Sequence, residues 1–130
     1  MNSLRHRIMV VDDDRVFSRI VRLSLERTGQ YEVREVNQAQ HALDEAEEFL
    51  PHVILLDVMM PGLDGGEVAK RIEASRKLPK TPIVFLTAAI SENEVPQDGM
   101  ERGGYWFLRK PVSLRRLVQC LDSHVAAVPA

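Results

Sequence analysis

Side chains that could carry chemistry stand at the ends of four of the five short apolar runs in this chain. The first run is followed by Asp12 and Asp13, the third ends at Asp57, the fourth ends at Thr87 and the fifth is followed by Lys110. Neighbouring carboxylates repel one another, so their pKa values split unless a cation compensates the charge. Oxygen ligands without histidine or cysteine favour a hard ion such as Mg²⁺. Carboxylates, Mg²⁺, an ammonium and a hydroxyl together can stabilise a transferring phosphoryl group, and a carboxylate can itself be the nucleophile.

The stretch around Asp57 is the most informative of these four. Residues 53–56 are all aliphatic, and the turn pairs Pro61-Gly62 and Asp64-Gly65 follow. A continuous apolar run bounded by turn residues indicates a strand that is buried on both faces and therefore parallel to its neighbours. Ligands of open α/β sheets bind outside the carboxyl ends of the strands, where Asp57 would lie. The alternative is that Asp57 only caps the helix that follows.

The rest of the chain alternates between strand and helix patterns. Strands are predicted at Arg7–Val11, Tyr31–Val36, Val53–Asp57, Thr81–Thr87 and Tyr105–Arg109. Helices are predicted at Val16–Thr28, Gln38–Phe49, Gly66–Arg76, Ser91–Arg102 and Ser113–Val125, with Ser113 as the N-cap of the last. Pro96 and Gly99 weaken the fourth helix. Five repeats of strand and helix predict an α/β fold, with a parallel sheet covered by helices on both faces and the polar strand ends together at one edge.

Length and composition predict one soluble domain. The 130 residues are expected to form a domain over residues 1–125, followed by a frayed tail over 126–130. The net charge of −2 argues against a general nucleic-acid or membrane-surface binder. No apolar run reaches transmembrane length. Cys120 is the single cysteine, which excludes an internal disulfide and fits a reducing cytoplasm.

Four motifs, in order and with their spacing intact, show that the chain resembles the response-regulator receiver domains of two-component signalling. They are Val10–Asp14, Leu55–Gly65, Leu86–Ala89 and Gly103–Pro111. The resemblance covers essentially the whole chain. It implies a flavodoxin-like, doubly wound sheet of five parallel strands in the order 2-1-3-4-5. It also implies a phosphorelay switch rather than an enzyme with small-molecule turnover, with at most self-phosphotransfer and slow autodephosphorylation.

The resemblance implies roles for the acidic residues. Asp57 would accept phosphate from a histidine kinase or a histidine phosphotransfer protein. Mg²⁺ would be held by Asp13, Asp57 and the backbone carbonyl of Met59, with Asp12 reaching it through water. Asp14 leaves the register of the acidic residues slightly ambiguous, and Asp12 and Asp13 are favoured because they follow the apolar strand directly.

The resemblance also implies how the phosphorylated state is sensed. Thr87 and Lys110 would bind the phosphoryl oxygens, and the Lys110–Pro111 bond would be cis. Thr87 and Phe107 would form the switch, although Phe107 lacks the hydroxyl common at that position. A downstream protein would bind near Trp106 and the last two predicted helices. We expect a cytoplasmic monomer or weak dimer that binds neither nucleic acid nor membrane.

Two other functions remain open from the sequence. A Mg²⁺-dependent phosphatase of the haloacid dehalogenase class also uses an aspartyl nucleophile, and Asp12 with Asp14 could mimic its spacing, but such enzymes usually have a cap and a longer chain. A pseudo-receiver would be an interaction module without chemistry. The presence of every expected site residue counts against it.

Overall fold

The computed structural model describes residues 5–88 and 100–126, which form one sheet with helices on both faces. The strands are β1 (His6–Val11), β2 (Tyr31–Val36), β3 (Val53–Asp57), β4 (Ile83–Thr87), β5 (Met100–Arg102) and β6 (Tyr105–Arg109). The helices are α1 (Arg15–Arg27), a short 3-10 turn (Ala39–His41), α2 (Ala42–Phe49), α3 (Gly65–Glu73) and α4 (Leu114–Ala126). The predicted α/β class is confirmed.

The sheet has the predicted parallel order, with one strand added at its edge. The strands run β2-β1-β3-β4-β6-β5, and every pair except β5–β6 is parallel. The five predicted parallel strands correspond to β1, β2, β3, β4 and β6, so their order is the predicted 2-1-3-4-5. Adjacent β1 and β3 therefore end side by side at the carboxyl edge.

The prediction of a helix over Ser91–Arg102 is wrong at its C-terminal end. Residues 91–99 lie outside the described part of the chain, but Met100–Arg102 form strand β5, which pairs antiparallel with β6. Gly103 and Gly104 have φ values of 60° and 87°. Two consecutive residues with positive φ form the two-residue turn that joins hairpin strands, and glycine adopts it without a steric penalty. The turn therefore folds residues 100–102 back onto β6.

Helix ends follow local capping chemistry. Asp14 caps α1 by accepting hydrogen bonds from the backbone of Val16 and Phe17, both at 3.0 Å. The predicted cap Ser113 accepts a hydrogen bond from the backbone of Arg116 at 3.2 Å. Helices α1 and α4 have 13 residues each, and none of the helices between residues 5 and 88 or 100 and 126 has the length and apolar content needed to span a bilayer. Residues 127–130 of the predicted tail lie outside the described residues.

Alternate residues of the strands pack into two separate hydrophobic cores, one on each face of the sheet. On one face, Met9, Val11, Ile54, Leu56 and Phe85 pack with the buried sides of α2 and α3. On the other face, Ile8, Val10, Leu55, Leu86 and Leu108 pack with α1 and α4. Because both faces are buried, the strands are fixed in register, and the polar residues at their carboxyl ends are held by a rigid support.

Candidate functional site

Three carboxylates meet at the carboxyl edge of β1 and β3. Asp12, Asp13 and Asp57 each offer an oxygen, and these oxygens lie within 4.8 Å of one another. Asp12 is fully buried and Asp57 is 7% exposed, whereas Asp13 is exposed. The structure thus brings together three of the residues expected to hold a metal, with one open to solvent.

Lys110 reaches this cluster from the end of β6. Its Nζ lies 2.5 Å from Asp12 Oδ2 and 3.7 Å from Asp57 Oδ2. Its backbone nitrogen donates a hydrogen bond of 2.8 Å to the carbonyl oxygen of Thr87, and the Lys110–Pro111 bond is cis, as expected. The ammonium is the cation nearest the two buried carboxylates among the ion pairs of the described residues.

The pKa of Asp57 is raised from its ordinary 3.8 to about 6. Burial of the carboxylate is the main cause and repulsion from Asp12 the second, while Lys110 and the backbone nitrogen of Met59 oppose the rise. The Met59 nitrogen lies 3.3 Å from Asp57 Oδ1. Three carboxylates meet here, and the ion pairs of the described residues bring one ammonium, that of Lys110, to Asp12 and Asp57. A hard divalent cation with oxygen ligands would relieve the repulsion among the carboxylates, so the residues present fit Mg²⁺.

This pKa shift predicts how stability depends on pH. The raised pKa means that folding disfavours the ionised form of Asp57, so its contribution to the free energy of unfolding falls as pH rises from about 4 to about 6. We expect Asp57→Asn to be more stable than the native chain by about 1–2 kcal/mol at pH 8, after allowance for solvent screening, and the gap to close toward pH 4. Urea unfolding in metal-free buffer measures this. Glu32→Gln, at an exposed position on β2, is the control, and an Asp57→Asn gap equal at both pH values would contradict the prediction.

The position of Asp14 resolves the register of the acidic residues. Its carboxylate caps the N-terminus of α1. Its backbone nitrogen donates a hydrogen bond of 2.9 Å to Asp12 Oδ1. Asn37 also supports the loop, because its side-chain nitrogen donates to the Asp12 carbonyl and to Ser18 Oγ, both at 2.8 Å. Asn37 was not among the residues predicted from the sequence, where its only signal is a polar residue directly after β2.

The loop after β3 folds back over the Asp57 backbone. Gly65 donates a hydrogen bond of 2.9 Å from its nitrogen to the carbonyl oxygen of Val58. A Cβ at Gly65 would stand 2.5 Å from the Asp57 carbonyl oxygen, so only glycine allows this approach. The N-cap of α3 is Asp64, which accepts from the Glu67 nitrogen at 2.9 Å. The alternative in which Asp57 caps this helix is therefore wrong.

The expected switch residues lie on the opposite side of the sheet from Lys110. Phe107 stacks on Phe85, with ring centroids 5.1 Å apart and an interplanar angle of 23°. Thr87 ends β4 two residues after Phe85, one position beyond the Leu86 that pairs with Asp57. Met59, expected to offer its backbone carbonyl, is 80% exposed. Thr87 and Phe107 therefore lie on the same face of the sheet, the one that α2 and α3 cover.

A doubly wound parallel sheet with a carboxylate cluster and a lysine at its carboxyl edge is suited to phosphoryl chemistry, and comparison with known proteins identifies the family. The family model for the response regulator receiver domain matches residues 8–122. A putative response regulator from Chloroflexus aurantiacus is 31% identical, with a TM-score of 0.78, over 94% of this chain and 98% of that chain. The Vibrio cholerae chemotaxis protein CheY4 is 29% identical, with a TM-score of 0.76, over 92% of this chain and 98% of that chain.

The chain belongs to the response regulator receiver domain family. Membership implies a phosphoryl-accepting switch of a two-component system. Receiver domains generally bind Mg²⁺ at an acidic pocket, and they interact with histidine kinases or phosphotransfer proteins and with downstream targets. In this chain, Asp12, Asp13 and Asp57 form a cluster of carboxylates.

Proposed function

We propose that Asp57 of this chain accepts a phosphoryl group from the histidine of a kinase or phosphotransfer protein. One observation carries the proposal: Asp57 ends the central buried strand, beside two further carboxylates and 3.7 Å from the Lys110 ammonium. A carboxylate in this place is a nucleophile with charge stabilisation already arranged around the phosphoryl group it would receive.

Each residue of the site has a separate role in the phosphoryl transfer. Asp57 forms the new oxygen–phosphorus bond while the donor's nitrogen–phosphorus bond breaks and the imidazole leaves. Lys110 and the Thr87 hydroxyl bind the phosphoryl oxygens. Mg²⁺, held by Asp13, Asp57 and the Met59 carbonyl with Asp12 through water, would supply positive charge that offsets the charge of the phosphoryl group.

The phosphorylated state would be sensed through Thr87 and Phe107. Movement of the Thr87 hydroxyl toward a phosphoryl group on Asp57 opens space on the face that Phe107 shares with it. Phe107 then favours an inward rotamer, which shifts an existing equilibrium between two conformations. Trp106 points to the other face, where its ring centroid lies 6.5 Å from that of His124 on α4. We place the surface that binds the downstream protein around Trp106 and α4.

Incubation of the chain with acetyl phosphate tests the proposed chemistry. We expect one acid-labile phosphate per chain in the presence of Mg²⁺ and almost none with a chelator, measured by the mass of the intact protein. Hydrolysis of a generic ester, p-nitrophenyl phosphate, is measured in parallel. Sustained turnover of the ester, or no incorporation of phosphate, would contradict a phosphoryl-accepting switch.

Tryptophan emission tests the switch in a separate titration. Because Trp106 is the only tryptophan, beryllofluoride with Mg²⁺, which mimics an acyl phosphate, should produce a saturable change in emission. The change should disappear in Asp57→Asn and shrink in Thr87→Ala. Unchanged emission in the native chain, with the same Phe107 rotamer in its free and beryllofluoride-bound structures, would rule out this coupling.

A further inference from the structure

The ring of Phe17 forms part of the immediate surroundings of Lys110. Lys110 Nζ lies over the Phe17 ring, 4.4 Å from its centroid. The Phe17 backbone is held by the Asp14 cap, and its side chain packs against the core between the sheet and helices α1 and α4. The ring is therefore fixed both through the start of α1 and through the core, and it presents its face to the ammonium.

Among residues 5–88 and 100–126, the Lys110 ammonium contacts two carboxylates and one aromatic ring. Asp12 Oδ2 is 2.5 Å away, Asp57 Oδ2 is 3.7 Å away, and the third neighbour is the uncharged Phe17 ring. The Lys110 side chain is only 18% exposed. The closest pairing is thus with Asp12, and not with the carboxylate that would carry the phosphoryl group.

Phosphorylation of Asp57 requires this pairing to change. Lys110 has to leave Asp12 Oδ2 for an oxygen of the phosphoryl group, and a flexible lysine side chain could move into solvent instead. A third carboxylate near Lys110 would hold the ammonium but would also compete for it and add negative charge. An aromatic face attracts a cation through its quadrupole without doing either.

We propose that Phe17 is a positioning residue for Lys110. Its π face keeps the ammonium at the edge of the acidic cluster while the ammonium passes from Asp12 to the phosphoryl oxygens on Asp57. The inference rests on the proposed function of Asp57. It adds a residue on α1 that lies outside the four motifs of the family resemblance, and whose helical spacing alone indicates only a packing role.

A series of fluorinated phenylalanines at position 17 separates the π face from packing. Stepwise fluorination weakens the quadrupole of the ring while nearly keeping its shape. We expect the rate of phosphorylation by acetyl phosphate to fall with each step, reaching a loss of roughly two- to fivefold, which corresponds to a cation–π contact of about 0.5–1 kcal/mol. Phe17→Leu should show a similar loss, whereas Phe17→Tyr, which keeps an aromatic face, should keep the native rate.

Phe49 is the matched control for this series. It also lies under a cation, with Arg34 Cζ 4.6 Å from its ring centroid, but it belongs to the core on the other face of the sheet. Fluorination at Phe49 should leave the phosphorylation rate unchanged. A flat series at Phe17, or equal losses at both positions, would overturn the assignment of Phe17 as a positioning residue.

A double-mutant cycle in metal-free protein measures the contact without any phosphorylation. Phe17→Leu, Lys110→Met and the double variant are compared by urea unfolding, and the two single effects should not add. Strict additivity would overturn the inference. If the native chain takes up no phosphate, the proposed function fails whatever the cycle shows. If uptake is normal while the fluorine series is flat and the cycle additive, only the role of Phe17 fails.

Discussion

Asp57→Asn is expected to abolish the incorporation of acid-labile phosphate from acetyl phosphate. The asparagine side chain fills the same volume but has no anionic oxygen to attack phosphorus. Loss of the nucleophile lowers the rates of enzymes by several orders of magnitude, and we expect a loss of incorporation on that scale here. The measurement is the mass of the intact protein after incubation with Mg²⁺ and acetyl phosphate, followed by cleavage of the adduct in acid.

Asp64→Asn is the matched control for this substitution. Asp64 is an exposed carboxylate in the loop after β3, and asparagine caps helices about as well as aspartate. This variant should take up phosphate like the native chain. Exposed Asp13 is the neighbouring carboxylate that could react in place of Asp57. Incorporation at the native rate in Asp57→Asn would show that another residue is the acceptor.

The parallel core was predictable because its residues carry a pattern that few other structures satisfy. The aliphatic residues 53–56 are buried on both faces, as a continuous apolar run requires, and Asp57 ends the strand. The order of the strands came from the family resemblance. With the order fixed, the meeting of Asp12, Asp57 and Lys110 at one edge follows from parallel strands that all end on the same side.

The acidic loop and the hairpin show where local sequence is insufficient. Asp12, Asp13 and Asp14 have the same chemistry, and only the geometry of α1 assigns Asp14 to the helix cap. Residues 100–102 continue a weak helical rhythm, but pairing with β6 through the glycine turn decides their structure. At residues 100–102, pairing with another strand overrides a local preference that is worth little free energy.

Residues that contact the site from elements distant in sequence could not be predicted. Asn37 touches the acidic loop only because β2 lies beside β1. Phe17 has the spacing of an ordinary core residue of α1, and its contact with Lys110 depends on how far that side chain reaches from β6. Such partners are distant in sequence, so periodicity carries no information about them.

Asp13→Asn is expected to weaken Mg²⁺ binding strongly while leaving the fold intact. Asp12 is fully buried and is the closest partner of Lys110, so its removal would also break a largely buried ion pair. Asp13 is exposed, and its loss removes a charged ligand without that penalty. Removal of even an outer partner of a metal site commonly costs about 10–100-fold in affinity, and loss of a direct ligand should cost at least as much.

Titration calorimetry with Mg²⁺ measures this loss, with Asp44→Asn, at an exposed position on α2, as the control. Binding should also weaken as pH falls through about 6, since a proton on Asp57 competes with the metal for the carboxylate. In the metal-free state, Asp13→Asn should not reduce the free energy of unfolding, because Asp13 contributes to the repulsion that raises the pKa of Asp57. An unchanged Mg²⁺ affinity in Asp13→Asn, or an equal loss in Asp44→Asn, would place the metal elsewhere.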